Sequence, residues 1–97
     1  MKSARDIIIK PIISEKSYDL AEMAKYTFEV DRRATKPEVR RAIEEIFKVD
    51  VISVNTMNMK GKPKKQGWAT GFRRDWKKAI VTLQEGQTIE VFEGGAS

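Results

Sequence analysis

The chain has 97 residues, of which 40% are hydrophobic and 34% charged, and its formal net charge is +5. This length suits one domain over residues 1–97, and the composition is typical of a folded, soluble domain. The chain contains no cysteine and no histidine, so disulfides, thiolate nucleophiles and the commonest metal ligands are excluded. We therefore expect no catalytic site, no metal and no cofactor. No apolar run approaches the roughly 20 residues of a membrane span, and the charged N-terminal segment does not resemble a signal peptide, which predicts a cytoplasmic protein.

The first third of the chain predicts a strand, a helix and a second strand. The three isoleucines at 7–9 before Lys10-Pro11 predict a short edge strand. Ser14 is a good N-cap, and the residues after it predict a helix over Glu15–Ala24. The alternation of apolar and polar residues over Tyr26–Val30 predicts a strand with one buried face.

The clearest element is a second helix. Thr35 to Glu38 form a capping box with Pro37 in the first turn. One apolar stripe at helical spacing then follows, formed by Val39, Ala42, Ile43, Ile46 and Phe47. The opposite face, up to Lys48, carries charges of both signs.

The remaining chain predicts two long strands and a short one. Val49–Met59 and Ala79–Leu83 are rich in β-branched residues, and Thr88–Phe92 could add a short final strand. The two long strands should pair as an antiparallel hairpin. We expect an α+β fold, with two helices on an antiparallel sheet in the order β-α-β-α-β-β, of the ferredoxin-like or split βαβ type.

The positive charge is concentrated between the two long strands. The 19 residues from Lys60 to Lys78 carry +7, whereas the rest of the chain carries −2. The basic residues are Lys60, Lys62, Lys64, Lys65, Arg73, Arg74, Lys77 and Lys78. A surface that merely aids solubility intersperses both signs, and burying unpaired cations costs several kcal/mol or more. We expect this basic loop, residues 60–76, to bind a polyanion, with a passive solvated loop as the alternative.

Aromatic residues in the same segment point to nucleic acid, whose bases stack on rings while cations contact phosphates. Trp68 is the candidate stacking residue, Phe72 could anchor the loop to itself, and Trp76 beside the return strand is better explained by packing. RNA is favoured over DNA because the clear amphipathic helix has a mixed-charge face and no zinc-finger or basic-zipper pattern occurs. A membrane-surface role is disfavoured because the cations are not on an amphipathic helix.

Other polar residues give weaker indications of function. Asp31, Arg32 and Arg33 form a charged turn that is most simply solvated, although it could add a second phosphate contact. Small enzymes of the acylphosphatase type share the predicted element order, so the fold by itself does not exclude catalysis. The chain shows no phosphate-cradling glycine loop, and we predict no active site and no small-molecule substrate.

Several segments, in this order along the chain, resemble the universal large-subunit ribosomal protein family L twenty-three. They are Pro11-Ile12-Ile13-Ser14-Glu15-Lys16, Ala34-Thr35-Lys36-Pro37-Glu38-Val39, Val54-Asn55-Thr56 with Lys60-Gly61-Lys62, and Asp75-Trp76-Lys77-Lys78-Ala79 running into Val81-Thr82-Leu83. The resemblance covers nearly the whole chain and is specific because the segments occur together.

The resemblance implies a non-catalytic protein that binds large-subunit rRNA beside the polypeptide exit tunnel, next to other ribosomal proteins. It implies that the long hairpin loop reaches along rRNA, and that the N-terminal region is a docking site for trigger factor and the signal recognition particle. Glu15 matches the glutamate of the family's Ser-Glu-Lys signature and is the expected docking residue. Its alternative role is to stabilise the helix dipole, worth ~0.3–1 kcal/mol. A free-standing RNA-binding or protein-interaction module of the same architecture is the alternative interpretation.

Overall fold

Nine helices and strands are present in the described part of the chain. The computed structural model describes residues 3–61, 63–66, 69–72 and 75–90, with the backbone alone for 63–66 and 69–72. The elements are α1 (Ala4–Ile7), β1 (Ile8–Pro11), α2 (Glu15–Glu22), β2 (Lys25–Val30), α3 (Lys36–Phe47), β3 (Val51–Met59), β4 (Pro63–Gln66), β5 (Ala69–Phe72) and β6 (Trp76–Leu83). The predicted α+β class with an antiparallel sheet is confirmed.

The main sheet has four strands in the order β1-β2-β6-β3, and every neighbouring pair is antiparallel. The predicted hairpin of the two long strands is confirmed, with Met59 opposite Trp76 and Val54 opposite Val81. Because β2 and β3 both run antiparallel to β6, they run parallel to each other on its two sides. Helix α3 connects them, which is the split βαβ arrangement.

One face of the sheet packs against α3. In register, Tyr26 and Phe28 of β2 lie opposite Val81 and Ala79 of β6, and all four are buried. The ring of Phe28 lies 5.6 Å from that of Phe47 at the end of α3, centroid to centroid. The core therefore sits between this helix and the two central strands.

The two longer helices begin at the side-chain caps that the sequence predicts. Thr35 and Glu38 form the reciprocal capping box of α3: the amide of Thr35 donates to Oε1 of Glu38 at 2.9 Å. Ser14 caps α2, since its Oγ accepts from the amide of Ser17 at 3.2 Å. Helix α2 ends at Glu22, two residues before the predicted end, and Ala24 then takes a left-handed φ of 61°.

The N-terminal segment differs from its prediction. Ile7 ends the short helix α1 instead of starting a strand, and β1 begins at Ile8. Asp6 holds this turn, because its Oδ2 accepts from the hydroxyl of Ser3 at 3.0 Å. This helix was not predicted, because a run of three isoleucines favours a strand and a single turn shows no periodicity.

The C-terminal elements also differ in extent from their predictions. Strand β6 begins at Trp76 instead of Ala79, because Trp76 to Lys78 continue the pairing with β3 despite the low strand propensity of the two lysines. A short final strand is predicted over residues 88–92. Residues 88–90 are not part of a sheet, and residues 91–92 lie outside the described residues. Within the described residues no helix has the length and apolar character that crossing a membrane requires.

Candidate nucleic-acid interface

The basic connection between β3 and β6 has secondary structure of its own. Strands β4 and β5 pair antiparallel, with Pro63 opposite Phe72 and Gln66 opposite Ala69. They form a two-stranded sheet separate from the main one. The connection is therefore a β-ribbon and not the structureless loop that its glycine and lysine content suggests. In such a ribbon the backbone groups that face the partner strand are paired, whereas those on the two outer edges are not.

An aspartate closes the root of this ribbon. Gly61 donates its amide to Oδ1 of Asp75 at 2.7 Å. Next to this bond, Met59 and Trp76 form the last residue pair of the main hairpin. Asp75 is the single acid of the basic segment, and the structure gives it a positioning role that the sequence did not reveal.

A lysine predicted to bind RNA fixes a neighbouring turn. Lys77 donates its Nζ proton to the carbonyl of Ala34 at 2.6 Å. The same turn is held internally, since Oδ1 of Asp31 accepts from the amide of Arg33 at 2.7 Å. Strand β2 ends at Val30 opposite Lys77, so the turn of residues 31–34 lies directly beside the ribbon root.

The turn and the ribbon root together line an open pocket of about 800 Å³. We call it the root pocket, and it is lined by Ile9, Asp31, Arg32, Arg33, Asn58, Met59, Lys60, Asp75 and Trp76. Arg32, Arg33 and Lys60 are exposed, whereas Trp76 is half-buried. The structure thus joins the charged turn, which the sequence suggests is a solvated cluster, to the basic ribbon.

The residues predicted to bind rRNA fall into three groups. Lys60 is exposed at the ribbon root, and Lys77 and Lys78 are half-buried on opposite faces of β6. Lys64 and Lys65 belong to β4, of which only the backbone is described. Lys62, Trp68, Arg73 and Arg74 lie outside the described residues.

A buried carboxylate lies beside Lys78 on the sheet. Glu29 of β2 is 4% exposed and stands opposite Lys78 in register. Nζ of Lys10 lies 3.9 Å from Oε1 of Glu29. Because a buried charge needs compensation, we infer that Lys10 is partly engaged with Glu29. Lys60 at the ribbon root is exposed and therefore available to a partner.

The predicted docking residue lies elsewhere. Glu15 is exposed at the first position of α2, directly after the Ser14 cap. Its carboxylate forms no hydrogen bond or ion pair with any other described residue, so it is available to a partner. Among the described residues, no group of three or more acidic side chains is placed to hold a metal ion.

Comparison with known proteins identifies the family. Residues 6–91 match the family described as ribosomal protein L23. Among curated relatives, large ribosomal subunit protein uL23 of Roseiflexus castenholzii is 55% identical over 92 residues, which is 95% of this chain and 98% of the relative. The proteins of the same name from Heliobacterium modesticaldum and Thermotoga neapolitana are 53% and 50% identical, covering 97% and 95% of this chain and 99% and 92% of their own. This chain belongs to the ribosomal protein L23 family.

Proposed function

We propose that this chain binds large-subunit rRNA beside the polypeptide exit tunnel through its basic ribbon, and that Glu15 recruits factors that meet the nascent chain. Membership of the family makes the chain a structural and non-catalytic component of the large ribosomal subunit, working on ribosomes in the cytoplasm. Neighbouring ribosomal proteins and rRNA are its partners there.

The observation that carries the rRNA proposal is the position of the charge on the fold. The segment with +7 in 19 residues is a hairpin extension with its own paired strands, closed at its root by Asp75. Lys60 at its root is exposed, and the core of the described residues lies between α3 and the central strands. When cations bind phosphates, the logarithm of the affinity falls linearly with the logarithm of the salt concentration. The slope becomes steeper by ~0.7–0.9 for each phosphate neutralised.

The test of rRNA binding is a titration of the purified protein with large-subunit rRNA at several salt concentrations, measured by filter retention. We expect a linear fall of log affinity with log salt whose slope corresponds to several phosphate contacts. Small-subunit rRNA is the control and should bind more weakly at the same salt. Equal binding to both RNAs would favour a free-standing RNA-binding module, and a slope near zero would reject the ribbon as a phosphate-binding element.

The docking proposal depends on the exposure of Glu15 and on its match to the family's signature. The N-cap of α2 is supplied by Ser14, so the Glu15 carboxylate is not needed to cap the helix. A solvated carboxylate at the start of a helix can pair with a cation of trigger factor. We propose that the signal recognition particle uses the same region.

Replacing Glu15 by alanine should leave incorporation into large subunits unchanged and weaken recruitment of trigger factor by about fivefold or more. An exposed ion pair contributes up to ~1 kcal/mol, or about fivefold in affinity, and truncating one partner of a desolvated pair costs ~2–5 kcal/mol. The measurement is co-pelleting of trigger factor with ribosomes that carry the variant.

The matched control is Glu22→Ala, which removes the same charge from an exposed position at the other end of α2. It should recruit trigger factor as the unchanged protein does. Recruitment undiminished by Glu15→Ala, or reduced equally by both variants, would contradict a specific role for Glu15.

A further inference from the structure

We propose that the root pocket receives one unpaired nucleotide of the large-subunit rRNA, whose base stacks on the indole of Trp76. Arg32 and Arg33 then contact the phosphates on either side of that nucleotide. This inference rests on the proposed rRNA binding and adds a defined subsite to it, at residues outside the ribbon.

The size and the lining of the pocket support a base as its occupant. Its volume of about 800 Å³ lies within the ~300–1,000 Å³ typical of small-ligand sites. Trp76, Met59 and Ile9 give it an apolar part, and Asn58 adds an amide that can donate and accept hydrogen bonds. Aromatic rings bind unstacked bases in this way, and Trp76 is only half-buried.

The charges of the pocket favour a nucleotide within a chain over a free one. Arg32, Arg33 and Lys60 oppose Asp31 and Asp75, which gives a formal net charge of +1. That charge is too small to neutralise a free nucleoside diphosphate or triphosphate, but it suits single phosphates of an RNA strand. The basic ribbon that starts at Lys60 would bind the continuing strand.

The walls of the pocket are preorganised by bonds within the protein. Lys77 ties the carbonyl of Ala34 to β6, and Asp75 ties the amide of Gly61 to the ribbon root. The two sides of the pocket are therefore held in place before RNA arrives, which reduces the entropy lost on binding. A base paired within a duplex is stacked on both faces and could not enter, so the occupant must be unpaired.

The first test uses the fluorescence of Trp76. The chain has two tryptophans, so Trp68→Phe makes Trp76 the sole tryptophan emitter and keeps a ring at position 68. This variant is titrated with large-subunit rRNA, and filter retention and indole emission are recorded in parallel. We expect the emission of Trp76 to be quenched in step with binding. Binding without any change in emission would overturn the pocket inference alone, whereas absence of binding both in this variant and in the unchanged chain would overturn the proposed rRNA function itself.

The second test compares two substitutions of Trp76 in the otherwise unchanged chain. Trp76→Leu should weaken rRNA binding by about 5- to 150-fold, the value of one base–ring stack, whereas Trp76→Phe should retain most of the affinity. Neither should change the salt slope, because every phosphate contact stays in place. Thermal unfolding of both variants checks that they are folded. Equal weakening by Leu and Phe, or a change of slope, would overturn stacking at Trp76.

Discussion

Replacing five basic residues of the segment between β3 and β6 should eliminate most of the salt-dependent affinity for large-subunit rRNA. The residues replaced by alanine are Lys62, Lys64, Lys65, Arg73 and Arg74. Each phosphate that is no longer neutralised should lower the log–log salt slope by ~0.7–0.9. If all five residues bind phosphates, the slope should fall by about 3.5–4.5. Lys77 is left in place because its Nζ holds the turn at Ala34.

The affinity itself should fall by about a hundredfold or more at low salt, since each solvated charge pair contributes up to ~1 kcal/mol. The fold should be unaffected, because the core that the described residues form lies between α3 and the central strands and is apolar. Filter retention of large-subunit rRNA over a series of salt concentrations measures both quantities.

A matched control removes the same number of positive charges from other parts of the surface. It replaces Arg5, Lys16, Lys36, Arg40 and Arg41, all of which are exposed on the helices. This variant should keep the slope of the unchanged protein, apart from a small general effect of net charge. An equal decrease of slope in both variants would show that overall charge, and not the ribbon, determines binding.

Replacing Phe28 by alanine should destabilise the domain by about 3–5 kcal/mol. Phe28 is completely buried in the central strand β2 and packs on Phe47 of α3, so the substitution leaves a cavity between sheet and helix. Domains of this size have a total stability of ~5–15 kcal/mol, and this one change would remove a large fraction of it. Urea unfolding followed by circular dichroism gives the free energy of unfolding.

Two variants calibrate this result. Phe28→Leu keeps most of the apolar volume and should cost much less than alanine. Ile52→Ala changes a side chain that is 57% exposed at the irregular start of β3 and should alter stability by about 0.5 kcal/mol or less. A Phe28→Ala variant as stable as Ile52→Ala would contradict the assignment of the core.

Local signals in the sequence were sufficient for the long elements. The capping box of Thr35 with Glu38 and the apolar stripe that follows predict α3, and the structure contains both. The β-branched content of β3 and the positions of the two long strands predict their hairpin. In these regions the local conformational preference of the residues and their packing in the fold favour the same secondary structure.

The root pocket could not be predicted, because it depends on contacts between residues distant in sequence. Arg32 lines the same pocket as Lys60 and Trp76 only because β2 pairs with β6. Nothing adjacent to Arg32 in sequence indicates that proximity. The strands of the ribbon were missed for a related reason, since lysine and glycine have low strand propensity and pairing stabilises them nonetheless.

The central claim is that the basic ribbon holds this protein on the large subunit. Its most direct test is sedimentation of the tagged chain from bacterial lysates. We expect the unchanged protein to migrate with large subunits and whole ribosomes through a sucrose gradient after a moderate salt wash. The variant lacking the five ribbon cations should be released by the same wash. Recovery of the unchanged protein at the top of the gradient, free of ribosomal particles, would contradict the account.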